Sequence, residues 1–302
     1  MAKTFPIIAL LFLFCCGSKK TKENAQINNK PRIAVVNYPL YYFAKTIGGD
    51  HVTVYFPAMD GDPAYWKPTA KQVINYQNAD LILANGAGYA KWLEKVSLPS
   101  SKLIYTADGF KDMWIETSEG LAHSHGAEGE HVHKGTAFTT WLNFKLAAEQ
   151  AKSIYNSMTA LVPDHAEELN GNFEQLMTSL SVLDKRMEGV ASKIGQGILI
   201  ASHPIYQYLE AGYGLNMISK HWEPDEMPTV DQWDDLKKII TENQARVMIW
   251  EDNPVEEIKS KLLELKVSIV VFNPCANVPE AGDFMDMMNE NLTQLELVVS
   301  IM

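Results

Sequence analysis

The chain has only three cysteines in 302 residues, and two of them, Cys15 and Cys16, sit side by side near the N-terminus. With the leader accounting for these, Cys275 has no partner, so no structural disulfide is available. Basic residues are scarce as well: 26 Lys and Arg face 37 Asp and Glu, a net charge of −11. That balance argues against nucleic acid and against an anionic membrane surface, and it is compatible with a cationic ligand. There is no glycine-rich phosphate loop, no nucleophile elbow, no HExxH pair and no visible catalytic triad. What remains is ordinary globular composition, 46% hydrophobic and 21% charged, in a chain long enough for two domains with real cores.

The N-terminus is more specific. Lys3 gives a positive start, and Phe5 to Phe14 is almost wholly apolar. About ten residues are too few to span a bilayer but suit the hydrophobic region of a signal peptide. The run ends in Leu13-Phe14-Cys15-Cys16-Gly17, which resembles a bacterial lipobox with Cys16 as the better-placed lipidated cysteine. Cys15 stands where a small Gly, Ala or Ser is usual, and a plain secretory leader is the other reading. Residues 17–30 are polar and aperiodic and read as a tether.

Pro163 to Lys193 organises the rest. Leu169, Phe173, Leu176, Met177, Leu180, Leu183, Met187 and Val190 recur at steps of three or four, apart from one adjacent pair, which predicts one apolar helix face. Pro163 suits a first turn, Asp164, Glu167 and Glu168 suit its positive end, and Gly195 with Gly197 ends it. Such a helix is a rod of roughly 45 Å. On either side, short apolar runs alternate with helical stretches, from Arg32–Asn37 to Leu103–Tyr105 and from Gly197–Ser202 to Phe284–Val299. The predicted fold class is α/β: two lobes of mostly parallel sheet joined by one long helix, with a ligand cleft between them. The divisions are 31–144, which includes a loop at 118–135, then 145–195 for the helical linker and 196–302 for the second lobe.

Ligands of open α/β sheets bind outside the carboxyl ends of strands. That rule gathers the loops Asp60–Pro68, Ser202–Tyr206, Glu251–Pro254 and Asn273–Cys275. His203 ends a strand, Glu251 and Asp252 end another, and His221, Glu223, Asp225 and Glu226 crowd the segment between. Imidazole and carboxylate are zinc donors, although a polar loop or a helix cap is the plainer reading of each taken alone. His123, His125, His131 and His133 make two His-x-His pairs suited to low-affinity metal capture. Asp60 and Asp62 around Gly61 read as a turn, not a calcium loop.

The whole mature chain resembles the solute-binding lipoproteins of zinc/manganese ABC transporters, the cluster A-I substrate-binding proteins. The features that carry the resemblance are Tyr38-Pro39-Leu40-Tyr41 with Gly48-Gly49-Asp50, Asp62-Pro63, Pro68-Thr69, Ala79-Asp80-Leu81, Asn85-Gly86-Ala87-Gly88, Trp92-Leu93, a His-rich loop, Trp141-Leu142, Ser202-His203, Tyr213-Gly214-Leu215 and Met287-Met288. The resemblance implies two Rossmann-like lobes joined by one long rigid helix, in a non-enzymatic, envelope-located carrier. It would hold Zn²⁺ (or Mn²⁺) between the lobes and deliver it to a membrane permease, with small lobe closure and loop gating. The usual ligands are largely replaced: Ala64 and Thr139 stand for two histidines and Asn273 for an aspartate, and only His203 matches. His133, His221, Glu223 and Glu251 are the candidate replacements. Two alternatives stay open: a cleft lined by Tyr65, Trp66, Tyr206 and Trp222 for a small organic ligand or metal chelate, and a hydrolase or surface adhesin on the same scaffold.

Overall fold

The computed structural model describes residues 30–117 and 135–300 together with Met1. Cys16, the tether and His123, His125, His131 and His133 therefore lie outside the described residues.

The short apolar runs form strands as expected. β1 (Arg32–Val35) leads to helix α1 (Tyr38–Gly48), then β2 (Thr53–Tyr55), α2 (Ala70–Gln77), β3 (Leu81–Ala84) and β4 (Leu103–Tyr105). All pairings are parallel, in the order β2-β1-β3-β4, with Ile33 opposite both Val54 and Leu81. Every residue of β3 is buried, as a central parallel strand with both faces covered requires. Helix α1 begins directly after Asn37. Asn37 caps it by accepting from the Leu40 N–H, and Pro39 is tolerated in a first turn that needs no donor there. Thr69 and Gln72 close a reciprocal capping box at α2. Between β3 and β4 lies a 3₁₀ turn, Lys91–Lys95, entered through a left-handed Ala90.

Next comes a feature without sequence periodicity: β5 (Glu116–Thr117) pairs antiparallel with β6 (Gly135–Thr136), bracketing residues 118–134. Helix α3 (Phe144–Leu161) and a 3₁₀ turn at Pro163–His165 lead into α4 (Ala166–Ile194), 29 residues long. The second lobe is β7 (Ile198–Ala201), α5 (Gln207–Tyr213), β8 (Asn216–Ser219), α6 (Val230–Asn243), β9 (Val247–Trp250), α7 (Glu256–Glu264), β10 (Ser268–Val271) and α8 (Phe284–Val299). Its parallel sheet is ordered β10-β9-β7-β8. Counted by appearance, each sheet runs second, first, third, fourth, so the two lobes share one topology.

Helix α4 is more than a spacer. Leu169, Phe173, Leu176, Leu180, Leu183, Met187 and Val190 are all buried, packed against α1, α3 and α8. Tyr155 of α3 stacks on Phe173 at 4.5 Å, and Arg186 binds Glu296 and Asn289 of α8. Apolar residues of both sheets, Leu83 and Ile249 among them, belong with α4 to one continuous core. Hydrogen bonds also cross between the lobes. Trp141 Nε1 donates to the Pro274 carbonyl at 2.7 Å, Asn277 Nδ2 to the Met59 and Gly61 carbonyls, and the Tyr38 N–H to Ala276. A two-lobed molecule tied in this way resists large hinge motion.

Leu183→Ala is expected to cost about 2–5 kcal/mol in urea unfolding, because it opens a cavity in the shared core. Val182→Ala on the solvent side of the same turn is expected to change stability by less than about 0.5 kcal/mol. Equal costs at the two positions would contradict the packing of α4 described above.

Candidate metal centre

An open sheet offers a crevice where its strand order reverses, here between β1 and β3 and between β7 and β9. The first of these is filled. Asn37 Nδ2 donates to Asn85 Oδ1 at 3.3 Å, Gln150 Nε2 donates to the same oxygen at 3.0 Å and to Thr106 Oγ1 at 2.9 Å, and Asn85 Nδ2 reaches the Phe138 carbonyl at 3.0 Å. These buried neutral groups satisfy one another and lock the loops together.

The second crevice is open and acidic. Ser202 and His203 follow β7, Glu251 and Asp252 follow β9, and Glu223 lies in the loop after β8. His203 Nδ1 stands 3.7 Å from Glu223 Oε1 and 3.8 Å from Glu251 Oε1. One ligand atom from each of the three residues lies within 4.8 Å of the others, which suits a shared ion. His203 is 3% exposed, and its ring is also held by the Trp222 backbone. The cleft has a volume of ≈ 550 Å³, and its walls include Asp62, Glu223, Asp225, Glu251 and Asp252. Among the described residues that line it there is no lysine or arginine.

Burial and charge poise these groups. Burial, with the neighbouring His221, lowers the His203 pKa to about 4, so the ring is a neutral donor at pH 7. Burial, with Glu223, Asp62 and Asp252, raises Glu251 to about 7. Burial also raises Asp62, against the opposing effect of the Ala64 N–H that its carboxylate accepts. Confined carboxylates without a cation hold a proton in its place.

The other predicted positions fall as follows. His221 is exposed and stands beside the trio, its ring edge-to-face with His203 at 5.7 Å. Thr139 lines the cleft and donates to the Ile205 carbonyl, tying the lobes together. Asn273 lines it too, but its side-chain oxygen accepts the Cys275 N–H at 2.7 Å and shapes the loop. Ala64 is buried in the first lobe's core. Tyr65 lies edge-to-face with Phe138, its phenol raised by burial and by Asp62 and Glu251. Trp66 turns away from the cleft to pack on Trp92 and Tyr76. Tyr206 and Trp222 are buried as well, Tyr206 donating to the Phe272 carbonyl and Trp222 packing on Trp233 and Trp250. Trp66, Tyr206 and Trp222 thus lend their faces to the two cores, whereas Tyr65 is exposed and packs on Phe138 of the cleft wall. Asp62, read from sequence as a turn residue, also faces the site; its place beside Pro63, at the loop where the resemblance puts a ligand, was the available signal.

Comparison with known proteins agrees with this architecture. The family model described as "Zinc-uptake complex component A periplasmic" (ZnuA) matches residues 33–297. The zinc-binding lipoprotein AdcA of Streptococcus pneumoniae is 28% identical over 96% of this chain, which spans 59% of AdcA's length. The high-affinity zinc uptake system protein ZnuA of Bacillus subtilis is 26% identical over 96% of this chain and 95% of its own. In three dimensions, the Zn(II)-bound ZnuA-like domain of Streptococcus pneumoniae AdcA superposes with a TM-score of 0.75 at 23% identity, covering 89% of this chain and 98% of that domain. The metal-dependent lipoprotein YcdH from Bacillus subtilis gives the same score at 22% identity, over 88% and 98%. With nearly all of both described sheets inside the matched span, the chain belongs to the ZnuA family of zinc-uptake components, a family of metal-binding transport proteins and not of enzymes.

Proposed function

We propose that this protein is the exported, lipid-anchored solute-binding component of a zinc ABC importer, capturing Zn²⁺ in the interlobe cleft and passing it to a membrane permease. The observation that carries this reading is the buried His203, whose Nδ1 faces Glu223 and Glu251, two of the five carboxylates that line the cleft. Family membership and the names of its relatives support zinc as the ion. The leader ending at Cys16 supports export and attachment to the outer face of a membrane. Among the described residues no helix is long and apolar enough to cross one.

The donor set suits cargo. One imidazole and two carboxylates give zinc three protein ligands and leave a position for water or for a receiving ligand. All three come from the second lobe, so Ala64 and Thr139 cost the site nothing directly. The first lobe supplies the lid of the cleft and the charge of Asp62. Metal binding requires an ionised Glu251, and so below its raised pKa it displaces the Glu251 proton.

Two measurements test this. In protein carrying Gln at His123, His125, His131 and His133, to silence the loop, zinc titration calorimetry should show tight binding. His203→Ala should weaken it by at least about 100-fold, beyond the loss expected for an outer partner. Unchanged affinity in His203→Ala would remove the site. The second measurement is of protons. Glu251 is protonated below its raised pKa of about 7 and ionised above it. Affinity should therefore fall about tenfold per pH unit below 7, with about one proton released per zinc at pH 6 and almost none at pH 8.5. Calorimetry in buffers of different ionisation enthalpy reads this release, and Glu251→Gln should abolish it.

A further inference from the structure

A second group of ligand-type side chains lies at the other edge of the first sheet. His51 lies two residues before the start of β2, and so sits at the amino end of a parallel sheet whose carboxyl ends face the cleft. Across from it are His165, in the 3₁₀ turn that opens the long helix, and Glu168 in the first turn of α4. One ligand atom from each of the three lies within 4.8 Å of the others. His51 Nε2 contacts Glu168 Oε2, and the His51 and His165 rings stack with centroids 3.7 Å apart and planes 19° from parallel.

We propose that His51, His165 and Glu168 bind a second divalent ion of the zinc class, on the outside of the first lobe. Two imidazole nitrogens and a carboxylate oxygen form a recurrent zinc donor set, and nitrogen donors favour zinc over the hard cations magnesium and calcium. His165 and Glu168 are exposed, so the remaining coordination positions are open to water and the ion has a direct path in.

The backbone beneath the group is fixed before any ion arrives. The His51 N–H donates to the Gly48 carbonyl at 3.0 Å, through a turn in which Gly49 adopts φ 51. Only glycine takes that conformation without strain. The His165 N–H donates to the Val162 carbonyl at 3.1 Å. Asn172, one turn beyond Glu168 on the same face of α4, donates from Nδ2 to the Ile47 carbonyl at 3.2 Å. The turn and the helix are thus already joined, and an ion would add a second link between them. Without an ion, the His51–Glu168 ion pair and the stacking of the two rings hold the three side chains together. Stacked rings carry their in-plane nitrogen lone pairs side by side, so ligation of one ion by both turns one imidazole, and the exposed His165 has room to turn.

The test uses the full mature protein with His203→Ala and Gln at His123, His125, His131 and His133, so that neither the cleft nor the loop contributes. Zinc calorimetry on this background should retain about one ion per chain, as one three-donor cluster holds one ion, and cobalt should give a visible ligand-field spectrum. Adding His165→Ala, or His51→Gln with Glu168→Gln, should abolish both signals while far-UV circular dichroism and the metal-free melting temperature stay unchanged. Zinc should raise the melting temperature of the background protein and leave that of the His165→Ala variant unmoved. A background protein that binds no zinc, or one whose binding survives His165→Ala, overturns the proposal. Neither result bears on the cleft, which is disabled throughout.

Discussion

The structure depends on one strip of apolar side chains. Eight buried residues along α4 give helices α1, α3 and α8 a common surface, and through them the two sheets share a single core. Without that surface each sheet is a small unit with an unburied face. With it, the second lobe is held at a set distance from the first, and the space between them becomes a cleft of fixed shape. Helix α8 completes the brace by laying Phe284 against Phe43 and Tyr42 of the first lobe, though its own chain arrives from the second.

On this frame the same topology is used twice with opposite chemistry. In the first lobe the crevice at the strand reversal is closed by Asn37, Asn85, Gln150 and Thr106, neutral groups that satisfy each other's hydrogen bonds. In the second lobe the equivalent crevice brings His203, Glu223 and Glu251 together, and the two carboxylates repel each other enough to raise Glu251. The first lobe thus closes its crevice with neutral hydrogen-bonded groups, and the second gathers titratable ones.

Much of the fold was legible because it rests on period. The apolar spacing from Leu169 to Val190 named the face of α4 that is buried, and the all-apolar run at 247–250 named a central strand. What lacked period was missed or blurred. The two-residue strands β5 and β6 carry no alternation, Tyr38 and Pro39 joined α1 only because Asn37 caps it, and Trp66 sits in a turn-rich loop where nothing in the pattern says which way a side chain points. The cleft followed the same logic. His203 and Glu251 each follow an apolar strand directly, which placed them at the working edge. Between His221 and Glu223 the sequence offered no choice, since the loop that carries them has no repeat. Only the path of that loop turns Glu223 toward the cleft and leaves His221 beside it.

The short ladder of β5 and β6 has a consequence for the cleft wall. It brings Thr117 and Gly135 face to face, and Gly135 is four residues from Thr139 in that wall. The Ala137 N–H then donates to the Ile115 carbonyl, which extends the tie by one more hydrogen bond. The chain thus re-enters the lobe at the point from which it left, and the position of Thr139 does not depend on the length of chain between the two strands.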